Sequence, residues 1–391
     1  MASATVAQTV AQTVVQPAGS TASRKRGRSA PVFHTLTVAQ VERLTDDAVA
    51  VTFDVPAELA DDYAFHAGQS LTVRRTVDGR EQRRSYSICA PMGELPRIGV
   101  REIPGGVFSS WLVSHVRPGT EMEVGTPTGS FGSSFWSTTP PSAGADRPTA
   151  GRHLCIAAGS GITPMISVAG TVLSHPEAEV TLLYGNRTSG SVMFAEELGD
   201  LKNRYGPRFQ VVHVMSREPR DVELFSGRLD ADRIRRLIDL LVPVSALENV
   251  WLCGPLAMIS DARAVLAQLG VPEDRIHFEL FYVDEPPPEL LRVQPTACGE
   301  TSEVTLVLDG QSATVALPRD SSVLDAAQAV RSDLPFACKG GVCGTCRALV
   351  RDGEVDMRRN YALEKSEVEA GFVLTCQSFP VSDAVTVDFD A

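Results

Sequence analysis

Near the C-terminus three cysteines lie close together as Cys338-x4-Cys343-x2-Cys346, and a fourth, Cys376, follows at a distance. No other feature restricts the folding of the chain so tightly, because thiolates that converge on one point force the loop between them to double back. A C-x4-C-x2-C run with a remote fourth cysteine is the spacing that holds a plant-type [2Fe-2S] cluster. Two irons bridged by sulfide need four thiolates, and a glycine-rich loop lets three come from one segment. Gly340, Gly341 and Gly344 let the backbone close up and aim N–H groups at the sulfurs, which raises the reduction potential. Zinc is the competing reading, but zinc sites favour paired C-x2-C units and only one such pair is present. Cys89, Cys155, Cys253 and Cys298 follow no such pattern, and Cys155 reads as a small buried hydrophobe in an apolar strand.

A chain of 391 residues exceeds one ordinary core and implies two or three domains. Residues 1–30 read as a disordered tail, and their basic run Arg24-Lys25-Arg26-Gly27-Arg28 as a solvated patch. Residues 31–138 carry short alternating strands, at Thr35–Val41, Ala48–Val55, Ser70–Thr76 and Ile98–Glu102, with a helix at Ser109–His115. That pattern predicts an antiparallel β-barrel. Residues 133–152 are a Ser/Thr/Pro/Gly-rich loop. Residues 150–283 alternate apolar runs with helical stretches, the signature of βαβ units and an α/β domain with a parallel sheet. A linker at 284–301, stiffened by Pro286-Pro287-Pro288, leads to a small α+β domain at 302–391.

The formal net charge of −12 argues against nucleic acid as a partner, since such binding rests on phosphate neutralisation. No apolar run approaches the roughly 20 residues that cross a bilayer, and the first residues read as lacking the charged start and compact apolar core expected of a secretion signal. The expected location is the cytoplasm, away from membranes, where clustered cysteines point to metal rather than disulfides.

Two further sites are legible. Arg84-Ser85-Tyr86-Ser87 could give a flavin a cation for its pyrophosphate, an aromatic face for the isoalloxazine and a hydroxyl near the reactive edge. Downstream, Gly105-Gly106 runs into a helix whose free N–H groups suit a diphosphate, with Ser109 adding a hydroxyl. The competing readings are an exposed strand and an ordinary turn with a Ser cap. Gly159-Ser160-Gly161-Ile162-Thr163-Pro164 follows a strand and opens a helix, bringing backbone near a second diphosphate. After the next strand Tyr184-Gly185-Asn186-Arg187 offers a cation where an NAD site places an acid, and Ser216-Arg217 adds a hydroxyl and a guanidinium. Together they favour NADPH over NADH. Cys253-Gly254-Pro255 ends a strand on the carboxyl edge, where Cys253 could sit beside the nicotinamide. Phe281 is placed after the last strand, as a flavin contact or a core aromatic.

R-x-Y-S, G-S-G-I-T-P-M, Y-G-N-R, C-G-P and the cysteine run, in that order, resemble the ferredoxin–NADP reductase superfamily fused to a plant-type [2Fe-2S] ferredoxin, over about residues 35–391. Within it, Ser191–Phe194, Ser216–Pro219, Cys338–Cys343, Val355–Met357, Asn360–Leu363 and Val387–Ala391 are similar to the reductase subunits of phenylacetyl-CoA epoxidase complexes. The resemblance implies an FAD-binding β-barrel, an NADP-binding α/β domain and a β-grasp ferredoxin. It assigns Arg84, Tyr86 and Ser87 to FAD, Gly106 and Ser109 to its diphosphate, and Arg187, Ser216 and Arg217 to the 2′-phosphate. Phe135 and Trp136 fall in a loop longer than the family core needs, at the adenine end of FAD. The implied activity carries electrons from NADPH through FAD and the cluster to a di-iron oxygenase, an epoxidase of phenylacetyl-CoA. A Rieske-type aromatic-ring or steroid hydroxylase is the alternative partner. A non-enzymatic electron carrier would leave residues 35–283 without a purpose.

Overall fold

The structure, a computed structural model, describes residues 31–391 except 78–79, 130, 133–134, 137–149, 283–300, 309, 329, 332–333, 337–338, 343 and 364. The tail, the proline-rich linker, most of the 133–152 loop, Cys298, Cys338 and Cys343 therefore lie outside the described residues.

The first unit is a six-stranded antiparallel sheet of β1 (Phe33–Thr45), β2 (Ala48–Asp54), β3 (Ser70–Val77), β4 (Arg80–Ser87), β5 (Arg97–Arg101) and β6 (Glu121–Gly125), with helix α1 (Val107–His115) before β6. The order is β4-β3-β6-β1-β2-β5, and a bridge between Ile88 and Ile98 joins the two edges, which closes the barrel. Leu36, Val51, Phe53, Leu71, Val73 and Val124 fill it. In β1 the buried Leu36 and Val38 alternate with exposed neighbours, whereas β2 is buried on both faces because Ala48 and Ala50 pack on the second unit.

The second unit contains β7 (Gly151–Ala158), α2 (Ile162–Leu173), β8 (Ala178–Asn186), α3 (Ala195–Tyr205), β9 (Phe209–Met215), α4 (Ala231–Leu241), β10 (Leu247–Pro255), α5 (Leu256–Gln268) and β11 (Ile276–Tyr282). Its five strands run parallel in the order β11-β10-β7-β8-β9. The chain leaves β9 at one edge and returns on the other side of β7, so β7 and β10 flank the switch point, where ligands bind at the carboxyl ends of such strands. Phe281 thus lies inside the last strand rather than after it, because His277 and Glu279 interrupt the apolar run that marks the other strands of this sheet.

All twelve residues of α2 are buried, which explains its apolar character on every side. One face covers the parallel sheet, and the other meets the barrel. There the Ser167 hydroxyl donates to the Ala90 carbonyl at 2.6 Å, and the Met92 N–H donates to Thr171 Oγ1 at 2.9 Å. Barrel residues Ala48, Ala50 and Cys89 share one core with Met165, Val168 and Phe194. Arg97 of β5 ties the two units by pairing with Glu42 at 3.0 Å and with Glu197 of α3 at 2.9 Å.

The C-terminal unit holds β12 (Thr301–Leu308), β13 (Gln311–Pro318), α6 (Val323–Ala327), β14 (Arg347–Asp352), β15 (Val355–Met357), α7 (Lys365–Glu369), β16 (Phe372–Leu374), β17 (Ser378–Pro380) and β18 (Ala384–Asp388). Thr301 therefore begins a strand instead of ending the linker. The main sheet runs β13-β12-β18-β14-β16, with β12 parallel to β18 and the other neighbours antiparallel. Ser322 caps α6 by accepting from the Asp325 N–H at 3.2 Å. Among the described residues no helix is long and apolar enough to cross a membrane.

Candidate functional site

The barrel and the parallel sheet meet at the switch point. Ser87, the last residue of β4, is 4% exposed, and its hydroxyl donates to Glu279 Oε2 at 3.2 Å. Glu279 stands on β11 in register with Cys253 on β10, and Cys253 in turn is in register with Ala157 on β7. Ser87, Cys253 and Glu279 therefore converge from two domains. Burial pushes the Glu279 carboxyl up to about 7, although the Ser87 hydrogen bond opposes the shift. Burial, reinforced by the charge of Glu279, raises the Cys253 thiol well above its ordinary range. Cys253 is thus a neutral, polarisable wall and Glu279 a group able to hold or release a proton near neutrality.

Gly161 lets the loop after β7 press against β10. A Cβ there would lie 2.2 Å from the Cys253 carbonyl oxygen, so no other residue fits without moving the strand. The Thr163 hydroxyl donates to the Ser160 carbonyl at 3.0 Å, and Tyr184 Oη donates to the Gly159 carbonyl at 3.0 Å. The loop is held from inside by these two bonds.

On the barrel side Tyr86 is half-buried, with its ring 6.4 Å from that of Phe108, and Phe108 meets Trp111 edge-on at 6.0 Å. Burial raises the Tyr86 hydroxyl far above its usual range, so the ring stays neutral. Arg84 is exposed, and its guanidinium donates to the Arg83 carbonyl at 2.6 Å. Ser109 differs from the simplest expectation. Its hydroxyl accepts from the Ile103 N–H at 3.0 Å and donates to the Gly106 carbonyl at 3.4 Å, so it shapes the turn that opens α1. An aromatic face, a buried hydroxyl and a helix start beside one another suit a flavin.

Farther along the crevice, Arg187 and Ser216-Arg217 follow the adjacent strands β8 and β9. The Ser216 N–H donates to the Asn186 carbonyl and the Arg217 N–H to the Arg187 carbonyl, each at 2.8 Å. Arg187 is 53% exposed and only 3.5 Å from Asp47, while Arg217 is exposed. Two guanidiniums and a hydroxyl on one rim suit a phosphate. Phe281 is partly buried and packs on the core shared by the two units. Phe135 and Trp136 pack on Trp251, with ring centroids at 5.3 and 5.9 Å, and Trp251 stacks on His277 at 4.4 Å. Both loop aromatics cover the parallel sheet.

In the C-terminal unit Cys346 and Cys376 are 2% and 4% exposed within one core. The Thr375 hydroxyl and N–H both donate to the Cys346 carbonyl, at 2.9 and 3.1 Å, which holds the two cysteine segments together. Lys339, Gly341 and Gly344 all adopt positive φ (53°, 79° and 66°), so the intervening loop turns sharply and repeatedly. Gln377 Nε2 donates to the Lys339 and Cys376 carbonyls at 2.8 and 3.0 Å and lies 3.8 Å from Cys376 Sγ, which ties the loop beside that sulfur. Those features fit a sulfur-ligated cluster with N–H groups around it.

Glu279 is the functional candidate that the sequence alone does not reveal. It lies two residues before Phe281, on the same side of a strand, and a lone acid in an alternating segment reads as a solvent-facing residue until the strand is placed in the sheet.

Comparison with known proteins finds a family match for each of the three units. Three families match: Oxidoreductase FAD-binding domain over residues 35–132, Oxidoreductase NAD-binding domain over 155–264, and 2Fe-2S iron-sulfur cluster binding domain over 306–381. The chain is 43% identical to the E component of 1,2-phenylacetyl-CoA epoxidase from Escherichia coli (strain K12), covering 92% of this chain and 98% of that one. It is 32% identical to the ferredoxin reductase component of 3-ketosteroid-9-alpha-monooxygenase from Rhodococcus rhodochrous, over 90% and 96%. Among solved structures, phthalate dioxygenase reductase shares the fold with a TM-score of 0.58 at 23% identity, covering 91% of this chain and 98% of that one.

Proposed function

The chain belongs to the family of oxygenase reductase components that join FAD-binding, NAD-binding and 2Fe-2S domains, and from that premise we propose that it draws electrons from NADPH for a di-iron epoxidase of phenylacetyl-CoA. The Ser87–Glu279 bond carries the reductase reading, because it joins the flavin side to the nicotinamide side at one proton-holding pair. The partner rests on the 43% identity to the Escherichia coli protein. The proposed location is the cytoplasm.

Bound FAD would supply the conversion of a two-electron hydride into single electrons, and Cys338, Cys343, Cys346 and Cys376 would hold a [2Fe-2S] cluster, which supplies one-electron chemistry. Tyr86 would cover the isoalloxazine and Arg84 would neutralise the pyrophosphate, while Gly106 and Ser109 form the turn that would present the α1 amides to it. Gly159, Gly161 and Thr163 shape the coenzyme loop. Arg187, Ser216 and Arg217 hold the 2′-phosphate, which selects NADPH. Cys253 walls the nicotinamide and excludes water from it. Phe281 backs this wall from the shared core. With flavin bound, the Ser87 hydroxyl would pass a proton between the flavin edge and Glu279 Oε2, to which it donates.

Likeness to the steroid monooxygenase component favours a Rieske-type partner as the second reading. A reconstituted assay separates the two. With a di-iron phenylacetyl-CoA epoxidase, the holoprotein should support oxygen-dependent consumption of phenylacetyl-CoA. NADPH should exceed NADH in kcat/KM by about tenfold or more, since one or two charge-assisted hydrogen bonds are at stake. Turnover with a Rieske hydroxylase and none with the epoxidase would reject the first partner.

A further inference from the structure

We propose that Arg83 is a positioning residue that seats the cluster-bearing loop against the flavin barrel, and that electron passage from flavin to cluster depends on this seat. The proposal rests on the electron route of the preceding section. Arg83 precedes the R-x-Y-S motif by one residue, so strand alternation points it away from the Arg84 and Tyr86 side. It is only 5% exposed, an unusual state for a guanidinium.

Its surroundings give the burial a purpose. The guanidinium carbon sits 5.3 Å from the Phe33 ring of β1 and 5.4 Å from the Phe336 ring of the C-terminal unit. Arg83 Nη1 also donates to the Leu334 carbonyl at 3.4 Å, across 251 residues of sequence. Leu334 and Phe336 are themselves buried and lead directly into the cysteine loop. Within that loop, Lys339 Nζ lies 4.8 Å from the same Phe336 ring, and the Lys339 carbonyl accepts from Gln377 Nε2 at 2.8 Å. Gln377 in turn neighbours the Cys376 sulfur. Val342 and Tyr361, from the same loop region, pack on the parallel-sheet core. The loop is therefore braced by both reductase domains, with Arg83 as the barrel's contribution.

A guanidinium suits this position because it is planar, weakly hydrated and permanently charged, and can stack between two rings while donating in its own plane. Arg83 itself takes no part in the electron balance, which stays one electron out of the flavin and one into the cluster at each transfer. It fixes the distance and orientation over which that transfer occurs.

The test uses full-length holoprotein mixed anaerobically with NADPH, with flavin and cluster absorbance followed in one trace. In Arg83→Ala, flavin reduction should stay within about twofold of wild type, while cluster reduction slows by about tenfold or more, as small displacements cost large factors in rate. Arg83→Lys should recover only part of the loss, because the ammonium cannot stack or donate in the same plane. Phe336→Leu removes the other half of the contact and should show the same selective slowing, which keeps the idea testable if Arg83→Ala does not fold. The spectrum of the dithionite-reduced cluster should be unchanged in all three. Unaltered cluster reduction in Arg83→Ala or Phe336→Leu overturns the seat, as does equal slowing of both steps. Failure of NADPH to reduce the flavin in the wild type would instead overturn the underlying route.

Discussion

Replacing Cys346 by Ser is expected to abolish electron delivery to the oxygenase while NADPH still reduces the flavin at its normal rate. Cys346 is buried, and its carbonyl is clamped by Thr375 next to Cys376, so the position has little room to recruit a substitute ligand. An alkoxide is a harder and more basic ligand than a thiolate, and sulfur ligation is what selects iron–sulfur clusters. Cluster-dependent turnover should fall by more than about a hundredfold, beyond the range typical of losing an outer-shell partner. Iron content and the reduced-cluster spectrum would be lost together, whereas the flavin spectrum would not change. A variant that kept full turnover would remove Cys346 from the ligand set.

The second large effect concerns Glu279. Its carboxyl titrates at about 7 because burial disfavours the charge, so wild-type turnover should decline as pH falls through that value and the group can no longer accept a proton from Ser87. Glu279→Gln keeps the shape but cannot exchange a proton. It should lower kcat by about a hundredfold and remove the inflection near neutrality from the pH profile. The same raised value has a consequence for stability. A carboxyl that binds its proton more tightly in the folded state stabilises the fold at pH below its unfolded value, and this contribution is lost as pH rises from about 4.5 to about 7. Wild type should therefore lose stability over that window relative to Glu279→Gln, which can be followed by thermal unfolding. A pH profile unchanged in the variant would take the proton relay away from Glu279.

The three architectural units are readable from the sequence because each carries a local signal: alternation for the barrel, strand–helix rhythm for the parallel sheet, and a fixed cysteine spacing for the third. The glycine loop at Gly159–Gly161 is readable for the same reason, since close backbone approach leaves glycines behind. Ser87 and Cys253 stand out as separate motifs, but nothing local joins them. Their common neighbour Glu279 is 192 positions from Ser87 in sequence and becomes visible only when β11 is laid beside β10. Arg83 escapes notice for a related reason: a charged residue in a basic strand gives no sign that it will be buried under another domain. Ser109 shows the reverse, a hydroxyl that looks available to a ligand but is used to hold its own turn.

Electrons are expected to reach the cluster only through the flavin. When holoprotein is mixed anaerobically with one equivalent of NADPH, flavin absorbance should bleach first and cluster absorbance should follow it. Cluster reduction that precedes flavin reduction, or that proceeds equally fast after the flavin has been stripped out, would contradict it.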